Sequence, residues 1–94
     1  MRSTNKRAQL LDNLLSAPST EQVMAGIDTS IREPDFESAD YYEQILFVNK
    51  MMFDLSQISP LEKNVQEWAN VKIARMHFYR IKCRLEAARE KHCL

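Results

Sequence analysis

SPLEKNVQEWANVKIARMHFYRIKCRLEAAREK, residues Ser59–Lys91, is the stretch that decides the fold. Ser59 is a good helix cap, Pro60 suits the first helical position, and Glu62 stands three residues after the cap. No Gly or Pro follows, so the pattern predicts one unbroken helix over about 60–91. At about 1.5 Å per residue such a helix is about 48 Å long. A compact chain of 94 residues has a radius of gyration of only about 12 Å. The helix is therefore expected to overhang its domain, to bend, or to be covered by something else.

On a helical wheel, Leu61, Val65, Trp68, Met76, Tyr79 and Cys83 fall in one sector. Val71, Ala74, Phe78, Ile81, Leu85 and Ala88 fall in the opposite one, alternating steps of three and four, the seam spacing of a coiled coil. Between the two faces run basic strips, with Arg75, Lys82 and Arg89 on one side and Arg80, Arg84 and Lys91 on the other. Leaving Val71, Phe78, Ile81 and Leu85 in water would forgo about 1.5–3 kcal/mol each. A domain's whole stability is about 5–15 kcal/mol, so both faces must be covered. The third helix, aided by the first two, can cover one; the competing reading is that the first two wrap the second face as well, in a self-contained monomer. The seam Val71, Ala74, Phe78, Ile81, Leu85 and Ala88 is accordingly expected to be a protein interface, rimmed by Arg75, Arg80, Lys82, Arg84 and Arg89. Trp68 and Tyr79 become natural anchors wherever the other face is open.

Upstream, three shorter helices are expected. Leu10, Leu11, Leu14 and Leu15 give a helical stripe over about 4–16, capped by Ser3 or Thr4 and ended by Pro18. Ser19 with Gln22 caps a second helix over about 20–31, where Val23, Ile27 and Ile31 recur every four residues and Gly26 weakens the middle. Residues 32–37 read as a linker, because Pro34 biases Glu33 out of the helical region. A third helix runs from near Ser38 to about 55, with Tyr41, Ile45, Val48, Met52 and Leu55 on one face and Tyr42, Leu46 and Phe53 opposite. A helix apolar on most of its circumference belongs inside a bundle. One Gly and three Pro leave few tight turns for a β fold. The class is thus all-α: a small helical bundle of three shorter helices packed on one long C-terminal helix. It forms one domain over 1–94, with 1–3 and 92–94 expected to fray.

Thirteen bases balance thirteen acids, but unevenly. Residues 20–54 carry eight acids against Arg32 and Lys50, a balance of −6, while residues 72–92 carry seven bases against Glu86 and Glu90, a balance of +5. Their attraction is expected to help the acidic segment dock on the long helix. Two copies of that helix side by side in parallel would oppose like charges, so a homodimer is expected to be antiparallel or crossed, or to pair basic helix with acidic segment.

Several chemistries lack support. Gly26 is the only glycine, so there is no phosphate-cradling loop, and no Cys-His or Ser-His pair has an acid beside it in a recognisable motif. The soft metal ligands His77, Cys83, His92 and Cys93 do not fall in close convergent pairs. Cys83 and Cys93, ten apart, would lie about 15 Å apart on one helix and cannot bridge. Leu11, Leu14 and Leu15 match an LxxLL ligand pattern that any Leu-rich amphipathic helix produces. No cofactor, metal or catalytic residue is expected. No apolar run suits a signal peptide or a membrane span, and two reduced thiols suit a cytoplasmic or nuclear setting. The expected function is a non-enzymatic protein–protein interaction module, an adaptor, inhibitor or regulator, self-associating through the seam or covering it with a foreign partner. The alternative is a nucleic-acid-binding regulator using the bases of the long helix.

Overall fold

The computed structural model describes residues 2–93, with side chains from Lys6 to Lys91. Helix α1 spans Arg2–Leu15, α2 Thr20–Ile31, α3 Pro34–Glu37 and α4 Tyr41–Ser56; a single 3-10 turn, Pro60–Glu62, precedes α5, Val65–Cys93. Among the described residues there is no strand, so the chain is an all-α bundle built on its long C-terminal helix. Of the ends expected to fray, Arg2–Ser3 and His92–Cys93 are helical, and Met1 and Leu94 lie outside the described residues.

The caps explain most boundaries. Ser19 Oγ accepts from the Gln22 amide at 3.2 Å and starts α2. Asp40 Oδ1 accepts from the Glu43 amide at 2.9 Å, so α4 begins after Asp40 and not at Ser38. The expected linker contains α3, because Pro34 sits at a first helical position, where it favours a short turn. The expected unbroken helix from residue 60 is interrupted. Lys63 is extended, with φ −123° and ψ 142°. Asn64 then begins again: its Oδ1 accepts from the Glu67 amide at 2.8 Å, and Glu67 Oε1 accepts from the Asn64 amide at 3.2 Å. This reciprocal pair is a capping box, and it leaves the Ser59-Pro60 signal only one turn.

α5 has 29 residues, hence a length of about 43 Å. The molecule measures 45 × 28 × 21 Å, so α5 is about as long as the molecule itself. α4, α2 and α1 all pack on it. Arg89 near the end of α5 reaches Tyr41 and Tyr42 at the start of α4, so these two helices are antiparallel. Asn70 bonds the end of α1, and His77, seven residues on, meets Asp28 of α2, so α2 runs alongside α5 in the same direction.

The core is Leu14, Val23, Ile27, Val48, Met51 and Leu55 closed against Val71, Ala74, Phe78 and Ile81. This corrects the expectation for the seam. Val71, Ala74 and Phe78 are fully buried and Ile81 nearly so; Leu85 is half-buried and Ala88 exposed. The three-four spacing is filled by α1, α2 and α4 of the same chain. The short helices suffice because they approach α5 from two sides and leave its opposite face bare.

Two polar groups are buried with purpose. Asn70 Nδ2 donates to the carbonyls of Leu15 at 3.1 Å and Ala17 at 2.9 Å, and its Oδ1 accepts from Gln66 Nε2 at 2.9 Å. It thereby satisfies carbonyls that the end of α1 leaves unpaired. His77 Nε2 meets Asp28 Oδ1 at 2.7 Å and ties α2 to α5. No described helix is long and apolar enough to cross a membrane.

Candidate protein-docking face

The apolar surface that the core leaves over lies on the other side of α4 and α5. On α4, Tyr42, Leu46 and Phe53 are 65%, 52% and 63% exposed. At about 100° per residue they fall within about 40° of one another. The opposite edge of α4 faces inward toward α1 and α3: Phe47 packs edge-to-face on Phe36, and Asp54 takes Arg7 at 2.9 Å. On α5, Met76 and Tyr79 are 50% and 55% exposed, and Cys83 is an exposed free thiol. Tyr79 lies two residues beyond His77, about 200° round the helix, and so points away from α2. Trp68 is partly buried at the same edge, while Leu61 and Val65, almost wholly exposed, flank the break before α5. The two stripes border the seam where α4 meets α5 and form one outer face.

α5 therefore does carry two apolar faces, but the free one is the sector of Met76 and Tyr79. The sequence marked Tyr79 and Trp68 as anchors for this case. It placed Tyr42, Leu46 and Phe53 in the interior; their spacing of four and seven with Asn49 and Lys50 beside them was the signal of an open stripe.

Arg89 fixes one end of the face. Its Nη2 donates to Tyr42 Oη at 2.5 Å, and its guanidinium lies 4.9 Å and 5.1 Å from the Tyr41 and Tyr42 ring centres. Such stacking orders the two tyrosines. The expected rim residues Arg75, Arg80 and Arg84 are exposed, whereas Lys82 is half-buried and paired with Glu86 at 2.8 Å, a hydrogen bond that raises the lysine pKa above its ordinary value. Arg80 Nη2 donates only to Met76 Sδ, at 3.2 Å.

The acidic segment packs on this helix through α2 and α4, but among the described residues only Asp28 meets it directly, at His77; Glu33 and Asp35 pair with Lys6 of α1 and Asp54 with Arg7, so no carboxylate of the segment reaches a Lys or Arg of α5. The Asp35 hydrogen bond, with Glu33 adding, holds Lys6 above the usual lysine range. Lys6, Glu33 and Asp35 border a cleft of about 440 Å³ between α1, α3 and α4, floored by Leu10, Phe36 and Phe47. Its two best-placed acids are thus already engaged. Among the described residues, no three His, Cys, Asp or Glu side chains converge as a metal site would require.

Comparison with protein-family models, curated proteins and solved structures finds no match to this chain.

Proposed function

We propose that the protein is a small protein-binding module, an adaptor, inhibitor or regulator, that docks through the outer face of α4 and α5. One observation carries this reading: Tyr42, Leu46 and Phe53 on α4 and Met76 and Tyr79 on α5, each at least half exposed, stand on the outward faces of two packed helices in a molecule whose core is closed. Tyr, Met and Arg are the residue types enriched at interface centres, and here they stand on two rigid helices.

A photo-crosslinking side chain at Tyr79, compared in the source cells with one at Thr29 on the far side of α2, tests the reading. A protein adduct is expected from position 79 alone, with its yield cut by Phe53→Asp. Equal adducts from both positions, or none from 79, overturn it.

A further inference from the structure

Resting on that docking face, we infer the chemistry of its occupant: an amphipathic helix of another protein, with its apolar stripe flanked by Asp and Glu, laid along the α4–α5 groove. Of the seven bases from Lys72 to Lys91, only Lys82 has a carboxylate within ion-pair distance among the described residues. Lys72, Arg75 and Arg80 are exposed beside Met76 and Tyr79, and Lys50 is exposed beside Leu46 on α4. Of the acids before α5, Glu33, Asp35 and Asp54 pair with Lys6 and Arg7 of α1 and Asp28 with His77, and on α5 Glu86 takes Lys82, so among the described residues Lys72, Arg75 and Arg80 are left for a foreign anion.

The apolar patch has the shape of a helix's footprint. Tyr42 and Phe53 are eleven positions apart, about 16 Å or three turns. The groove between two packed helices accepts a third, read by residues spaced i, i+3 or i+4, and i+7. A helix with that stripe presents its flanking positions to Lys50 beyond the α4 stripe and to Arg80 beyond Met76 and Tyr79, with Arg75 between the two stripes.

Two other occupants fit less well. A second copy docked face to face would bring two patches of the same positive sign together. A nucleic acid would lay phosphates over Leu46, Phe53 and Met76, which offer them no hydrogen bond.

The test uses the full chain and two labelled, helix-forming peptides of about four turns. Both carry the same Leu stripe; one has Glu at the flanking positions and the other Lys. Fluorescence anisotropy should show the Glu peptide binding at least about tenfold tighter than the Lys peptide at low salt. The double variant Arg75→Glu, Arg80→Glu should reverse that order, and Leu46→Asp should abolish both, each with a cooperative melt no lower than that of the parent chain. Equal binding of the two peptides overturns the acidic assignment while leaving the docking face standing. A dimer by light scattering that Leu46→Asp returns to monomer overturns it in favour of a second copy. Tighter binding of a short DNA or RNA duplex than of the Glu peptide overturns it in favour of a nucleic acid. Failure of both peptides to bind also overturns it, and the position-79 crosslink then judges the docking face separately.

Discussion

Phe78 and Tyr79 are adjacent aromatic residues with opposite roles. Phe78 is fully enclosed by the core, and Tyr79 is more than half exposed. Phe78→Ala should cost about 3–5 kcal/mol, enough to unfold a good part of a population whose whole stability is about 5–15 kcal/mol. Tyr79→Ala should stay within about 0.5 kcal/mol. Urea denaturation of the two variants measures both, and a large loss at Tyr79 would mean that the outer face is structural. Asn70 offers a second test at this scale. Asn70→Leu would strand the carbonyls of Leu15 and Ala17 and the amide of Gln66 that it now serves. The expected cost is about 1–3 kcal/mol, read as a lower urea midpoint at unchanged slope. A change below about 0.5 kcal/mol would mean that those groups reach water.

At the scale of elements, the beginning of α5 is the feature to probe. Asn64→Ala removes one half of the box with Glu67 and should cost about 1 kcal/mol, with faster amide exchange confined to the first turn of α5. Gly26 is the complementary case. It lies inside α2 without a positive φ, and a Cβ there would meet Leu14 Cδ2 at 3.5 Å, an ordinary contact. Gly26→Ala should therefore stabilise by about 0.5–1 kcal/mol, seen as a raised melting temperature. The same elements show what the residues alone reveal. Ser19 with Gln22 and Pro18 located α2 to the residue, since a cap and a breaker are local chemistry. Ser59-Pro60 misled because a second cap at Asn64 competes with it, and Lys63 between them turns extended. The seam from Val71 to Leu85 was legible as a packing surface, but its spacing is the same whether α2 and α4 or another protein fills it. Periodicity reports that a face is covered and is silent on the owner of the cover.

For the whole molecule, the salient property is separation of charge: acids on α2, α3 and the start of α4, bases along α5. The like pair Arg80 and Arg84, one turn apart and exposed, works against α5 itself. Arg80→Glu turns it into an attractive pair and should stabilise the fold by about 0.3–0.5 kcal/mol, while weakening capture of the Glu-flanked peptide. A stability gain with retained binding would remove Arg80 from the rim. The central place of α5 also governs how the protein comes into being. Asn70 and His77 join residues about fifty positions earlier, and Val23, Ile27, Val48 and Met51 share one core cluster with Val71, Ala74, Phe78 and Ile81 of α5. During synthesis the earlier helices leave the ribosome before the one that closes their core. Until Ile81 emerges, the surface formed by Val71, Ala74, Phe78 and Ile81 is incomplete, so closure of the core waits on α5.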